Sequence, residues 1–310
     1  MRYNYGDQCA YLFTLDKMGN LLQFRLRDKN LIHNWRNEFE EIIACFKVSI
    51  DNRYIYIAYG VGKMRKFDVE SRKMVKDYGQ IVENSIWSID IDKNEEYLFV
   101  LPVEGPLVQF STATNFHRDW DRNIVCFRLT RNGKYLFGQD EENHLKQWNV
   151  LDQSLVHDWK PLHDGSDYFF KVSKDDKDIW SRDNSGYLKQ WNIESKFVRN
   201  WGIVLDGKIL SNTTSKNGKK MYTIGLDRCI RIWDIKKQKL LCKWEVAAIE
   251  GEQDQTNLIL FIKGKFLFLL SRNGQLYQYS EKKRALVKKW GAVLYPGQFR
   301  NMYRISNKFF

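Results

Sequence analysis

The feature that most constrains this chain is a short phrase returning seven times, an alternating run that ends in an aromatic residue. It reads Leu21-Leu22-Gln23-Phe24, Met64-Arg65-Lys66-Phe67, Leu107-Val108-Gln109-Phe110 and Leu145-Lys146-Gln147-Trp148 in the first half. It continues as Leu188-Lys189-Gln190-Trp191, Ile230-Arg231-Ile232-Trp233 and Leu276-Tyr277-Gln278-Tyr279. The closing aromatics lie 43, 43, 38, 43, 42 and 46 residues apart. A second aromatic follows each of them at 10 or 11 residues: Trp35, Tyr78, Trp120, Trp159, Trp201, Trp244 and Trp290. A fixed period of this length marks one supersecondary unit copied along the chain. No segment sustains the 3.6-residue periodicity of a helix.

Each unit reads as four short strands. In the fourth, Val125 to Leu129 alternates with period two, Arg131 to Lys134 makes a tight turn, and Tyr135 to Phe137 is an apolar strand. Asp140 to Asn143 turns again, His144 to Asn149 is the third strand, and Leu155 to Trp159 the fourth. Short alternating runs joined by turn residues are the antiparallel pattern. Several turns set Asp or Asn ahead of a glycine able to take positive φ, as in Asp183-Asn184-Ser185-Gly186 and Arg272-Asn273-Gly274. Four strands per unit of about 42 residues, seven times over, predicts an all-β fold, a seven-bladed β-propeller with four antiparallel strands per blade, in one domain over 1–310. Two segments can complete the first blade. The C-terminal stretch 301–310 resembles a first strand, and Met1 to Tyr5 fits the same slot.

These phrases resemble those of WD-repeat proteins over nearly the whole chain. The literal signature stands once, as Trp233-Asp234, with near variants Trp148-Asn149, Trp191-Asn192 and Phe67-Asp68. The Asp of the preceding turn is present as Asp140, Asp183 and Asp227. The family's Gly-His dipeptide is absent, which bears on its His-Ser/Thr-Asp-Trp hydrogen-bond network; His33, His117 and His157 recur at a different place, shortly before the fourth-strand aromatic. The resemblance implies a non-catalytic platform that assembles other macromolecules. The fold by itself does not, since propellers also host enzymes.

Composition narrows the function classes. No run approaches the 18 apolar residues of a membrane span: Leu258 to Leu270 is broken by Lys263-Gly264-Lys265. The N-terminus lacks the order of a secretory signal, and five cysteines without a CxxC pair fit reduced thiols, so an intracellular protein is expected. The five histidines form no metal-ligand pair, and there is no phosphate loop, dinucleotide fingerprint or nucleophile elbow. Neither enzymatic activity, nor a cofactor, nor a metal is expected. The aromatics at the two repeating positions read as core. Trp87 and Tyr168 depart from the repeat, standing where other units carry Ala44, Val125 and Leu258 at the start of the first strand. In a propeller that is the mouth of the central channel, where large aromatics can anchor a partner segment.

Net charge is +12 and unevenly spread. From Leu205 to Phe310 there are 21 Lys and Arg against 8 Asp and Glu, leaving 29 against 30 in the first 204 residues. If first strands run innermost, the first-to-second and third-to-fourth turns share one face. In the last two blades that face receives Lys216, Lys219, Lys220, Lys236, Lys237, Lys239, Lys263, Lys265, Lys282, Lys283 and Arg284, with Lys308 from the closing segment. The acids Glu245, Glu250, Glu252 and Asp254 fall in loops of the opposite face. A cationic edge of this kind suits an acidic protein surface within a multi-subunit assembly. A structural RNA comes second, because Lys dominates over Arg and no exposed aromatic is interleaved for base stacking.

Overall fold

The structure, a computed structural model, describes residues 11–16, 18–25, 30–35, 41–120, 123–142, 144–161, 168–183, 185–205, 207–246, 259–263, 266–271, 275–292 and 299–301. The fold is an all-β seven-bladed propeller, and no α-helix occurs among the described residues. The chain divides into two compact units, Met1–Cys126 with Val293–Phe310, and Phe127–Ala292. In the first unit, blade one is β1 (Tyr11–Asp16), β2 (Leu21–Arg25) and β3 (Leu31–Asn34). Blade two is β4 (Ile43–Val48), β5 (Tyr54–Tyr59), β6 (Lys63–Asp68) and β7 (Met74–Gln80). Blade three is β8 (Ile86–Ile91), β9 (Tyr97–Pro102), β10 (Val108–Ser111) and β11 (His117–Asp119).

Blade four, whose first strand straddles the division, is β12 (Ile124–Leu129), β13 (Tyr135–Asp140), β14 (His144–Asn149) and β15 (Leu155–Pro161). Blade five is β16 (Tyr168–Val172), β17 (Asp178–Asp183), β18 (Tyr187–Asn192) and β19 (Val198–Ile203). Blade six is β20 (Ile209–Thr214), β21 (Lys220–Gly225), β22 (Cys229–Asp234) and β23 (Lys239–Glu245). Blade seven is β24 (Ile259–Lys263), β25 (Phe266–Leu270), β26 (Gln275–Ser280) and β27 (Ala285–Ala292). A last strand, β28 (Phe299–Asn301), pairs antiparallel with β1 through Leu15 and Asn301, giving blade one its fourth strand. The strand beside β1 is thus Phe299–Asn301, which shares only Asn301 with the 301–310 stretch read from sequence. Residues 302–310 and Met1 to Tyr5 lie outside the described residues.

Turn chemistry fixes the register of each meander. At the end of each first strand in blades two to six, a Ser, Thr or Asp side chain accepts from the backbone N–H that opens the second strand. The pairs are Ser49 with Tyr54 at 2.9 Å, Asp92 with Tyr97 at 2.6 Å, Thr130 with Tyr135 at 3.0 Å, Ser173 with Asp178 at 3.0 Å and Ser215 with Lys220 at 2.9 Å. Within the same turns Asn52, Glu95, Gly133, Asp176 and Gly218 take positive φ. The third-to-fourth turns repeat the device at Arg72, Asn115, Gln153, Lys196, Gln238 and Arg284, with φ between 49° and 61°. A left-handed non-glycine residue costs about 1–2 kcal/mol, so backbone bonds must hold it, as Arg72 N–H to Asp68 O at 2.8 Å does. Gly186 is different: φ is +87° and a Cβ would lie 2.4 Å from Leu205 O, so this position admits glycine alone. The companion turn at 272–274 lies outside the described residues.

The paired aromatics form seams between blades. The fourth-strand aromatic of one blade meets the third-strand aromatic of the next, edge to face. Trp35 reaches Phe67 at 5.3 Å and Tyr78 reaches Phe110 at 5.8 Å in the first unit. Trp159 reaches Trp191 at 5.5 Å and Trp201 reaches Trp233 at 6.1 Å in the second. Such contacts add about 0.5–1.5 kcal/mol each beyond area burial, and they explain why two aromatic positions recur instead of one. Six third-strand aromatics are buried; Phe24 is only half-buried, the exception to the equivalence expected of all seven. Trp201, Trp244 and Trp290 on the fourth strands are likewise half-buried. The outermost strand has no further strand beyond it to cover these rings.

Three of the five glutamines in the phrase have a mechanical reason. Gln109, Gln190 and Gln278 accept from the indole N–H of Trp120, Trp201 and Trp290 at 3.1, 3.3 and 3.1 Å. Where the phrase carries Lys66 instead, the fourth strand carries Tyr78 and not tryptophan.

Candidate interaction surfaces

Blades six and seven build the cationic edge from hairpin ends. In blade six Lys220 pairs with Asp234, which in turn pairs with Lys239, so the two turns of that blade stand at one end of its sheet. The first of these turns is closed by Gly218 N–H to Ser215 O at 3.1 Å and braced by Ser215 Oγ on Asn217 at 2.8 Å. Gly218 has φ +65°, and a Cβ there would lie 2.1 Å from Asp175 Oδ2 of blade five, so the turn packs directly on its neighbour. In blade seven Arg284 N–H bonds Ser280 O at 2.8 Å, which turns Lys282, Lys283 and Arg284 outward.

One ion pair joins the two blades at this edge. Lys220 Nζ lies 2.5 Å from Glu281 Oε1, and Tyr222 donates its hydroxyl to Glu281 Oε2 at 3.0 Å. Burial and the Glu281 charge raise the Tyr222 phenol well above its ordinary range. A second acid on this edge, Asp234, accepts Lys237 N–H at 2.8 Å. Both carboxylates are therefore engaged, while Lys216, Lys219, Lys236, Lys237, Lys239, Lys282, Lys283 and Arg284 are exposed. Lys263 closes β24 opposite Phe266. Its side chain, with Lys265 and Lys308, lies outside the described residues. The opposite end of blade six is balanced: Asp227 accepts Arg231 and lies 3.5 Å from Lys243, and its carboxyl is held down to about 2.

Trp87 sits on β8 in the first unit and is 51% exposed, a large indole in contact with water. Tyr168 opens β16 in the second unit, opposite Asp183; its side chain lies outside the described residues. Sequence reading missed Phe169, which is 53% exposed next to it and stacks on Arg182 at 4.7 Å. An apolar residue on an inner strand reads as core, and only its tertiary surroundings show otherwise.

Two third-strand tryptophans bond hydroxyls of the second strand. Trp191 donates to Ser181 Oγ at 2.8 Å and Trp233 to Thr223 Oγ1 at 3.0 Å, both buried. The Asp of the preceding turn is used otherwise: Asp183 accepts the N–H of Ser185 and Tyr187 at 2.9 Å each, and Asp140 holds Lys146 at 3.1 Å. His33 and His157 pack edge-on against their own blade's Trp35 and Trp159 at 4.8 and 4.5 Å. Burial, then the charge of Lys196, lowers the His157 imidazolium. Among the described residues no group of three His, Cys, Asp or Glu side chains is placed to hold a metal ion. Cys45, Cys126, Cys229 and Cys242 are free thiols, and burial pushes Cys45 up to about 12, far from nucleophilic use. No protein-family model matches this chain, and no curated protein matches it either, so the WD-repeat resemblance rests on the residues named above.

Proposed function

We propose that this propeller is a non-catalytic, WD-repeat-like scaffold that docks other proteins within a multi-subunit assembly. The observation that carries this reading is the edge of blades six and seven. Seven exposed cations besides Lys216 gather there while Glu281 and Asp234 are already bonded, so the edge presents a positive field to a partner. Turn side chains are not needed to hold a blade, and their mutual repulsion slightly opposes folding, though salt screens it over about 8 Å. The partner that suits the edge presents acidic side chains and is steered to it by charge. Trp87 serves as a second, apolar anchor.

Reversing Lys236, Lys237, Lys282 and Lys283 to Glu is expected to slow association with the native partner and to flatten its salt dependence. Nuclease treatment of the native complex should leave the partner bound; release by nuclease would replace this reading with an RNA-associated module. A partner retained equally by wild type and the fourfold reversal, at low and high salt alike, would remove the edge from the account.

A further inference from the structure

The first strands of blades four and five, with the second strand of blade five, carry a second concentration of positive charge, unrelated to the turn edge. Arg182 is 7% exposed on β17 and donates both terminal nitrogens to the first strand of blade six, at Ile209 O and Leu210 O, the latter at 3.0 Å. Lys171, on the neighbouring strand β16, reaches the same strand at Asn212 O, 3.0 Å away. Arg128 on β12 bonds only its own Phe127 O, at 2.6 Å. Carbonyls and the Phe169 ring are thus the partners of these cations, and among the described residues no carboxylate reaches any of the three.

Charges removed from water without a counter-ion are costly. Desolvation, followed by the like charges of Arg182, Arg128 and Lys174, lowers the Lys171 ammonium to about 7. Lys171 as a residue is exposed, so its side chain borders solvent although its ammonium is desolvated. The same repeat position in the first unit is balanced: Lys47 of blade two is paired with Asp90 of blade three. The position corresponding to Asp90, one blade beyond Lys171, is Thr213, which brings no charge.

We propose that this cluster is a site for a phosphate group, gripped by Lys171 and Arg128 within the field of the fixed Arg182. A phosphomonoester suits it better than a carboxylate. It brings close to two negative charges to three cations, and three acceptor oxygens to donors that carbonyls leave unfilled. Arg182 is committed to backbone and supplies charge without contact. This site is independent of the basic edge and of the scaffold reading.

Thermal unfolding tests it, with inorganic phosphate as the probe against chloride and acetate at matched ionic strength. At about ten times the dissociation constant, phosphate should raise the wild-type Tm by about 2 °C over chloride. The Lys171→Met chain should lose that rise, and Lys171→Arg should keep it. Thr213→Asp, which supplies the missing carboxylate internally, should lose the rise while folding normally. Repeating the titration with free phosphoserine and with a phosphoserine peptide distinguishes the sources. A rise with both points to a small soluble ligand, and a rise with the peptide alone points to a modified protein. No rise over chloride, or an equal rise in wild type, Lys171→Met and Thr213→Asp, overturns the proposal; an equal rise is salt-like stabilisation common to any fold.

Discussion

Blades two and three in one unit, and blades five and six in the other, share backbone, register and seam, yet treat one repeat position in opposite ways. In the first unit Lys47 is answered by Asp90 from the next blade. In the second unit the residue at the corresponding place is Thr213, and Lys171 bonds a carbonyl, Asn212 O. The apolar seam is the same device in both, Tyr78 on Phe110 and Trp201 on Trp233. A blade is therefore specified by its aromatics and turns. The polar residues of its first strand are left free to diverge.

The largest effect should fall on what the two regions have in common. Trp191→Ala and Phe67→Ala should each cost about 3–5 kcal/mol in denaturant titration, the usual range for deleting a buried aromatic. Their rings are 6% and 0% exposed. A cost below about 1 kcal/mol at either position would show that the seam does not support that unit.

Breaking the balanced side comes next. Asp90→Asn leaves Lys47 charged without its carboxylate, at a site where the two side chains are only 18% and 13% exposed. A loss of about 3 kcal/mol is expected, because an orphaned charge costs more than the pair was worth. Lys47→Met in the same background should recover part of it, and failure to recover would place the cost elsewhere.

Restoring balance on the other side should have a smaller, opposite effect. Thr213→Asp should stabilise the second unit by up to about 1 kcal/mol, the scale of a partly exposed ion pair. The sign of the pH dependence sharpens this. The folded Lys171 gives up its proton near 7, whereas an unfolded lysine keeps it to about 10.4. The unfolded chain then binds more protons across that interval, so this residue makes stability rise with pH from about 7 upward, the penalty being full below it. The groups that bear on it are Arg128, Lys174 and Arg182. Unfolding measured from pH 7 to 9 should show the rise in wild type, and Lys171→Met or Thr213→Asp should flatten it. The smallest effect on stability belongs to the turn edge: the fourfold reversal of Lys236, Lys237, Lys282 and Lys283 should stay within about 0.5 kcal/mol.

Much of the fold was legible because its determinants are local and repeated. The phrase ending in Phe67, Trp148 or Trp191 marks a third strand, and the aromatic 10 or 11 residues later marks a fourth. Alternation with turn residues between them leaves few other ways to bury both. A signal of the same kind was passed over: Ser49, Asp92, Thr130, Ser173 and Ser215 recur at the blade period because each braces a first turn. The glutamine that clasps a tryptophan at 109, 190 and 278 was equally visible as a pattern, though its reason was not.

The sequence by itself determined the blades, their number and the end of each sheet on which Lys236, Lys237, Lys282 and Lys283 emerge, since a hairpin turn must lie at the end of its strands. Only the tertiary structure decided which charges are answered. Lys47 and Lys171 look alike in sequence, each the penultimate residue of a first strand. One is neutralised and the other is not, because the deciding group comes from the next blade, 43 residues on as Asp90 and 42 residues on as Thr213. Electrostatic balance is a property of side chains brought together across blades. Strand periodicity, which acts within a blade, carries no record of it.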